Sequence, residues 1–417
     1  MPQSGELTVE EVRSEAALQA LADEWDNLLT RSESNVLFLT HAWVTCWWRH
    51  FGRVRGPLRQ ATLFVLTVRQ HGRLCGIAPL ILDVECFLGV SIRLLRFLGH
   101  GVSDYVDFML AENREALLQA IVQHLATRAT DWDAIDLRDF AGASPNFSPL
   151  CRLLTAAGLV WQAADDHACP FLPVQGSWDS YYQSRFNRHH RKEHRREWRA
   201  LAAVGQPHVR FVTSLEKEPA LWDRLATLDE HHPEAGPQRA AFFALADYRG
   251  FFEDMLPQAA QRGWLTLALL ECDGLAVAYY LGFQYNRRYY IYITSYHGDF
   301  SRFGVGKLLM LSMLEQYWAA EGDDIDFLRG DEPHKNRWAA QLRSNQRLLV
   351  WQRAGRSWWR QQLWFFWLPA LQHWSPRLHG FLQFFSASSW SVMRQWACRR
   401  LQRAVLGEGR ETHNEHR

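Results

Sequence analysis

Two polar segments in the last third of the sequence carry residue types suited to chemistry at phosphate and carbonyl groups. The first, which we call the glycine turn, follows a strand-like run that ends at Tyr296 and precedes an apolar helical pattern. Its residues are Arg302, Phe303, Gly304, Val305, Gly306 and Lys307. Glycines let the backbone approach phosphate oxygens, and the N–H groups of a first helical turn point at a bound anion. The order of strand, turn and helix predicts a pyrophosphate site. The alternative is that the two glycines only end the strand.

The second polar segment follows another strand-like run, at residues 324–328. Its residues are Arg329, Asp331, Glu332, His334 and Lys335. Open α/β sheets build sites at the carboxyl ends of strands, and partial burial there raises the pKa of a carboxyl group. We therefore expect Asp331 or Glu332 to act as a general base, with a structural ion network as the alternative. His334 is a further candidate base, because histidine titrates near neutrality. Arg329 and Lys335 are candidate substrate contacts.

Other candidates lie outside these two segments. Alternation along the strand before the glycine turn predicts Tyr292 and Tyr296 on one face, with Tyr296 as a candidate proton donor at the strand end. Asp104 and Tyr105 follow a glycine-rich turn, and we expect them either to line a substrate cleft between the two halves or to cap the turn. Arg188 begins a strongly basic helical stretch, which is either a solvated face or a clamp for an anionic ligand. No metal-binding motif is present, and no metal site is predicted.

The secondary-structure elements that would position these residues form two consecutive α/β units. Residues 1–170 form the first unit, and residues 171–354 the second. In the second unit, three strand patterns at 264–296 form an antiparallel meander, with Asp273-Gly274 and Asn286-Arg287 at its turns. The predicted fold class is therefore α/β with a mixed sheet. The first unit has no counterpart of the glycine turn, and we do not expect it to bind a cofactor.

The segments SRFGVGKLL, at 301–309, and FLRGDEPHKNRW, at 327–338, resemble the GNAT acyltransferase superfamily. The first resembles its coenzyme A pyrophosphate element, Gln/Arg-x-x-Gly-x-Gly/Ala, with Ser301 at the first position and Arg302 one place late. The second resembles the Gly-Asp-Glu-Pro-Tyr-Lys signature of the CelD-type branch, with His334 in place of the tyrosine. The resemblance covers roughly residues 6–352. It implies two tandem GNAT-like domains, of which the second binds acetyl-CoA or another acyl-CoA as co-substrate.

The resemblance also implies an activity. An acetyl or acyl group would pass from coenzyme A, or alternatively from acyl carrier protein, to an amine or hydroxyl on a carbohydrate or cell-envelope precursor. One alternative is a FemABX-like aminoacyltransferase, which shares the tandem GNAT folds, uses aminoacyl-tRNA and acts on a peptidoglycan precursor. Another is a non-catalytic, membrane-associated accessory protein of a polysaccharide synthase.

The amino-acid composition argues against one class of protein and favours one cellular compartment. The formal net charge of +1 argues against nucleic-acid binding by the chain as a whole. The seven cysteines are scattered without a Cys-x-x-Cys pair, which favours a reducing, cytoplasmic environment. No signal sequence is recognisable at the N-terminus.

The end of the sequence differs in composition from the rest. Residues 355–407 hold seven arginines and seven of the 20 tryptophans, and they contain no acidic residue. This composition is typical of amphipathic helices that lie in a membrane interface, here the inner face of the cytoplasmic membrane. Packing of these helices on the domains is the alternative. Residues 408–417 are expected to be disordered.

Overall fold

The computed structural model describes residues 6–52, 59–87, 90–212, 220–233 and 245–367, together with positions 214, 215, 218 and 243. The strands are β1 (Leu7–Val12), β2 (Arg59–Leu63), β3 (Val65–Gln70), β4 (Arg73–Ala78), β5 (Leu80–Phe87), β6 (Val90–Phe97), β7 (Met109–Leu110), β8 (Ala134–Ala141), β9 (Val160–Pro173), β10 (Pro207–Val212), β11 (Leu265–Cys272), β12 (Leu275–Tyr285), β13 (Arg288–Tyr296), β14 (Asp324–Asp326) and β15 (Gln341–Trp351). The α-helices are α1 (Glu15–Ala20), α2 (Ala22–Arg31), α3 (His41–Trp47), α4 (Arg114–Thr127), α5 (Phe147–Ala156), α6 (Trp178–Arg185), α7 (Arg188–Ala202), α8 (Leu221–Glu230), α9 (Ala246–Gln261), α10 (Val305–Ala319), α11 (Pro333–Asn336) and α12 (Arg356–Gln362). Among these described helices, none has both the length and the apolar character needed to cross a bilayer.

The strands form one large and one small sheet. The large sheet has 11 strands in the order β10-β11-β12-β13-β14-β9-β15-β8-β6-β5-β2, and the small one has four in the order β1-β3-β4-β7. Most neighbours are antiparallel, whereas β13–β14 and β6–β8 are parallel. The predicted mixed α/β fold class is therefore confirmed, as is the antiparallel meander of β11, β12 and β13.

The large sheet runs without interruption through both halves of the chain, which we define as residues before and after position 170. Strand β9, which contains that position, pairs with β14 of the second half. Strand β15 comes from the end of the second half and lies between β8 and β9. The two predicted units therefore share their central strands.

Two predicted helices differ from the observed structure. The basic stretch at 178–203, predicted as one helix, is divided into α6 and α7 because the Asn187 side chain accepts a hydrogen bond of 3.0 Å from the His190 N–H and caps α7. The helix predicted at 336–343 is replaced by the short α11 and the start of β15. There, pairing of Gln341 with Phe171 favours a strand over the local helical pattern.

Apolar side chains pack on both faces of the sheet. One hydrophobic cluster includes side chains of α2, α3, α8 and α9, and a second includes those of α10. A third, smaller cluster contains the beginning of the aromatic tail, where Trp364 and Phe365 pack on the first half and on β15. The charge of Arg360 in this segment is countered by Asp133, at 3.4 Å. The first part of the tail therefore packs on the sheet, whereas residues 368–417, including the rest of the predicted membrane-interface segment, lie outside the described residues.

A β-bulge changes the orientation of side chains along β13. Leu281 of β12 pairs with Ile293, whereas the next residue, Gly282, pairs with Ile291. Tyr292 is the extra residue, and a bulge of this kind shifts the alternation of the strand by one position. Tyr292 packs with the first hydrophobic cluster and Tyr296 with the second. The expectation that both tyrosines share one face is therefore wrong.

Candidate active site

Arg329 lies where the two halves of the chain meet. Leu328 and Gly330 have positive φ angles of 59° and 110°, so the backbone turns sharply on both sides of Arg329. The guanidinium of Arg329 forms an ion pair with Asp104 and donates hydrogen bonds to the carbonyl oxygens of Gly101 (3.2 Å) and Ser103 (3.1 Å). Burial raises the pKa of Asp104, and the Arg329 charge only partly opposes this rise. The structure thus brings together two residues that the sequence placed in separate sites.

Tyr105 also joins the two halves, but from a buried position. Its hydroxyl donates a hydrogen bond of 2.8 Å to Asp326 at the end of β14, and Arg343 contacts the same carboxylate oxygen at 2.7 Å. Burial raises the pKa of Asp326 to about 6, although Arg343 and Arg288 oppose the shift. Because Tyr105 is only 4% exposed, its contacts support a structural role where the two halves of the chain meet.

The region where the two halves of the chain meet, which we call the junction, lies where β13 and β14 cease to pair. These two strands pair only between residues 288–290 and 324–326, although β13 continues to Tyr296. After β14 the chain follows β9, with the Phe327 N–H donating to Pro170 and the Gly330 N–H donating to Ala168, both at 2.9 Å. The loop of the first half that contains Asp104 reaches this region, because the Val102 carbonyl accepts a hydrogen bond from the Tyr292 hydroxyl.

The acidic residues after Arg329 lie at the surface. Asp331, Glu332 and His334 are exposed, although only 53% of the Glu332 side chain is accessible. Burial disfavours the charged form of Glu332, but Lys335, whose Nζ lies 3.0 Å away, outweighs that effect and lowers the pKa. Lys335 also donates to the Arg329 carbonyl oxygen. We call Asp104, Asp139, Arg329, Glu332 and Lys335 the junction cluster, and describe Asp139 below.

The glycine turn starts α10 as the sequence suggested, but a carboxylate lies over it. Gly304 has φ +64°, and a Cβ there would lie 3.1 Å from the carboxyl atoms of Glu197 on α7. The Lys307 Nζ donates a hydrogen bond of 2.8 Å to Glu197 and lies 3.7 Å from Glu193. The anion at this turn is therefore a side chain of the protein itself.

The other residues of the glycine turn have different surroundings. Phe303 and Val305 are buried and pack in the second hydrophobic cluster, whereas Arg302 is exposed, with its guanidinium 4.7 Å from the Phe303 ring centroid. Gly306 is a helical position where a Cβ would make only ordinary contacts, the nearest at 3.7 Å to Tyr296. A ligand can therefore approach the backbone closely at Gly306. Unlike Gly304, Gly306 does not have a positive φ.

Tyr296 belongs with the glycine turn. It contacts His232, with ring centroids 4.6 Å apart, and faces Gly306. Arg188 lies at the exposed start of α7, and among the described residues no acidic side chain forms an ion pair with it. No hydrogen bond or ion pair among the described residues connects Tyr296 or the glycine turn with the junction cluster.

Sequence reasoning missed three residues next to Arg329. Asp139 lies in β8 with φ +54°, and its carboxylate is 3.0 Å from the Nδ1 atom of His167 in β9 and 3.7 Å from Arg329. Asp166 lies 3.5 Å from the same Nδ1 and pairs with Arg138. Burial opposes ionisation of Asp139, but Arg329 and His167 outweigh it and lower the pKa.

The ligand atoms of Asp139, Asp166 and His167 lie within 4.8 Å of one another, a spacing that suits a metal ion. Each carboxylate already has an arginine beside it, which reduces the negative charge available to a cation. One feature of the sequence could have revealed these residues. Charged residues occur inside strand patterns, both in AIDLRDFA and around His167. Charges in the interior of a strand need buried partners or a function.

Residues 188–336 match the family described as an acetyltransferase (GNAT) domain. The matched region contains α7, the glycine turn and the segment from Arg329 to Lys335. No curated protein matches the chain.

The similarity to one solved structure, FemX, extends over both halves. FemX is similar with a TM-score of 0.57 at 12% identity, and the match covers 86% of this chain and 99% of that chain. A tandem GNAT protein from the clavulanic acid biosynthesis pathway has a TM-score of 0.44 at 14% identity, covering 84% and 100%. The C-terminal domain of a putative lysylphosphatidylglycerol synthetase from Agrobacterium fabrum has a TM-score of 0.45 at 11% identity, covering 84% and 97%. At these identities the likeness concerns the fold alone. The family match and the FemX similarity together give the chain a GNAT-like fold.

Proposed function

We propose that the chain is a GNAT-type acyltransferase that moves an acetyl or acyl group from coenzyme A to an amine or hydroxyl acceptor. The observation that carries the proposal is the glycine turn at the start of α10, inside the region that matches the acetyltransferase family. A pyrophosphate at this helix start would accept hydrogen bonds from the free N–H groups and pair with Lys307. Within this proposal, residues 171–354 bind the donor and residues 1–170 do not.

The Glu197 carboxylate lies where such an anion would bind. Both the carboxylate and a phosphate would be attracted to Lys307 and to the positive end of α10. Donor binding therefore requires the Glu197 side chain to leave Lys307, either by a change of rotamer or by a shift of α7. In this proposal Tyr296, next to the turn, protonates the departing thiolate.

The acceptor site in this proposal is the junction cluster with the neighbouring Asp331. Exposed carboxylates of Asp331 and Glu332 can accept hydrogen bonds from amino and hydroxyl groups, and Lys335 and Arg329 can donate to ring or carbonyl oxygens. This donor and acceptor set suits a carbohydrate. The CelD-type signature in this segment supports an acceptor from polysaccharide or cell-envelope synthesis. The composition of residues 368–407 supports peripheral contact with a membrane that carries such precursors.

Calorimetry with acetyl-CoA and the full chain tests the donor site. Lys307→Gln removes the charge that would face the phosphates, and Gly306→Ala fills the helix start without strain from a positive φ. We expect both variants to bind acetyl-CoA at least tenfold more weakly, with unchanged circular dichroism. Arg287→Gln, which removes an exposed charge at the β12–β13 turn, is the control. Unchanged affinity in both test variants rules out this donor site.

Glu197→Gln gives the complementary test. If the carboxylate competes with the donor for Lys307, its neutralisation should tighten acetyl-CoA binding several-fold. Absence of acetyl-CoA binding in both the native chain and this variant would favour the second candidate, a FemABX-like aminoacyl transfer. The observation that supports this alternative is the similarity to FemX over 86% of the chain. Transfer from a charged tRNA would then be the activity to measure.

A further inference from the structure

We infer that His167 is the general base that deprotonates the acceptor, with Asp139 as its positioning residue. This inference rests on the proposed function, since it assigns a role within acyl transfer. It also moves the base from the exposed Asp331 and Glu332 to a histidine on the neighbouring strand.

The first argument is the geometry of the pair. The Asp139 carboxylate lies 3.0 Å from Nδ1 of His167, so Nδ1 carries the proton in neutral imidazole and Nε2 keeps its lone pair. Asp139 is itself held by Arg329 and lies on a buried strand, which fixes the direction of the ring. Among the described residues, Nε2 of His167 has no hydrogen-bond partner. The lone pair is therefore available to a bound molecule.

The second argument is location. His167 is 24% exposed, so solvent and small groups reach it. The carbonyl of the next residue, Ala168, accepts a hydrogen bond of 2.9 Å from the Gly330 N–H. His167 thus lies beside the segment that begins with Arg329 and continues to Asp331 and Glu332. In this inference, the acceptor lies between those carboxylates and the imidazole.

The chemistry requires one proton acceptor and no covalent intermediate. The acceptor nitrogen or oxygen forms a bond to the acyl carbon while its proton passes to Nε2 of His167. The bond between the acyl carbon and sulfur then breaks, and the thiolate of coenzyme A leaves. The proton held by His167 is released to solvent, and the thiolate takes up one proton to become the thiol. The Asp139 carboxylate stabilises the imidazolium that exists between these events.

Charged groups of β8, of β9 and of the segment after β14 lie around His167. Asp139 and Arg138 come from β8, Asp166 from β9 itself, and Arg329 from the segment after β14. Arg138 pairs with Asp166, and Asp139 shares Arg329 with Asp104, so the two arginines offset part of the carboxylate charge around His167. This partial neutralisation weakens a cation site formed by the same three ligand atoms and leaves His167 for proton transfer.

Two measurements on the full chain test the inference. The first is ¹⁵N-histidine NMR, in which His167→Gln assigns the His167 signals. We expect neutral His167 to be protonated at Nδ1, and Asp139→Asn to reduce that preference. A dominant Nε2-protonated form in the native chain overturns the inference, whatever the activity.

The second measurement is thiol release from acetyl-CoA, with glucosamine or water as the acceptor. We expect His167→Gln to lower kcat by about 10²- to 10⁴-fold and to leave the affinity for acetyl-CoA unchanged. Asp139→Asn should lower kcat and move the pH profile, whereas Asp139→Glu should restore part of the rate. His124→Gln is the matched control, because His124 also contacts a carboxylate, Glu11 at 2.8 Å, and is 21% exposed.

The outcomes separate the inference from the proposed function. If the rate of the His167→Gln variant stays within about threefold of the native rate, the role of His167 is overturned. The proposed acyl transfer is not affected by that result. Activity that is lost on dialysis against EDTA and restored by Zn²⁺ also overturns it, and assigns the cluster to a metal. A native chain that binds no acetyl-CoA and releases no thiol overturns the proposed function, and the catalytic role of His167 with it.

Discussion

Arg329, from the second half of the chain, forms an ion pair with Asp104 of the first half and donates to two carbonyl oxygens of the same loop. Because it also lies 3.7 Å from Asp139, one guanidinium faces two buried carboxylates. The pair therefore couples the relative position of the halves to the geometry of the candidate site. Removal of the arginine should affect stability and chemistry together.

Arg329→Met should lower the free energy of unfolding by about 3 kcal/mol, because it leaves two buried carboxylates without their partner. Urea denaturation at neutral pH measures the loss. Arg287→Met is the control: its ion pair with Asp323 is mostly exposed and should contribute less than about 1 kcal/mol. Equal effects of the two substitutions would show that the junction pair contributes no more than a surface pair.

Asp331→Asn and Glu332→Gln should change acceptor binding more than the chemical step. Both side chains are exposed and can accept hydrogen bonds, and Lys335 lowers the pKa of Glu332, which makes Glu332 a weak base. We expect KM for the acceptor to rise roughly tenfold, since a hydrogen bond to a charged group contributes about 1.5–3 kcal/mol, while kcat changes little. Steady-state kinetics with varied acceptor gives both constants. A fall in kcat of a hundredfold or more, at unchanged KM, would return the role of base to these residues.

Asp107 should make stability fall as pH rises from about 4 to about 6. It is buried in the first half, where Ser34, Ser144 and Asn146 donate hydrogen bonds to it, and burial raises its pKa to about 6 against the effect of those bonds. The folded state then binds the proton more tightly than the unfolded state, whose pKa is about 4. The stabilisation is complete below that lower value and is lost as pH rises through about 6.

The measurement is the difference in unfolding free energy between the native chain and Asp107→Asn at a series of pH values. The native chain should lose roughly 2–3 kcal/mol relative to the variant across this window. Asp133→Asn should show the opposite slope at a lower pH, below about 4, because Arg93 outweighs burial and lowers the pKa of Asp133. A difference for Asp107→Asn that does not vary with pH would contradict the assignment.

Truncation after residue 367 should preserve the fold, whereas truncation after residue 354 should not. The longer form keeps Trp364 and Phe365, which are 2% and 5% exposed and cover apolar side chains of β6, β8 and β15. Loss of two buried aromatic side chains typically costs several kcal/mol. Thermal unfolding of the two forms compares them directly. Liposome sedimentation of the full chain and the longer truncation then tests the membrane role predicted for residues 355–407, because the longer truncation lacks residues 368–407 of that segment.

Local patterns in the sequence were sufficient for most of the second half. Apolar alternation and paired turn residues predicted the meander, and the glycine turn was predicted at the start of α10, where the structure has it. These features depend on neighbouring residues. The sequence likewise marked Arg329 and Lys335 as polar residues after a buried strand.

The features that sequence reasoning missed all depend on distant residues. Glu197 reaches the glycine turn from α7, and Asp139 reaches His167 from another strand, so no local spacing encodes either contact. The bulge at Tyr292 is one extra residue in a regular strand pattern, and simple alternation therefore put Tyr292 and Tyr296 on the same face, although they lie on opposite faces. Exposure of Asp331 and Glu332 follows from the turn at Gly330, whose φ of 110° the pattern did not reveal.

The position of β15 between β8 and β9 bears on how the chain folds during synthesis. Strands β8 and β9 are made early, but their shared neighbour is residues 341–351, almost two hundred positions later. The first half therefore emerges from the ribosome with β8 unpaired on one edge and β9 unpaired on both, because β14 and β15 are made later, and such edges are sites of mispairing. Folding must wait for a long-range contact, which slows it. A split into separately expressed halves would accordingly yield two incomplete sheets, which could complete each other only by exchange of this strand.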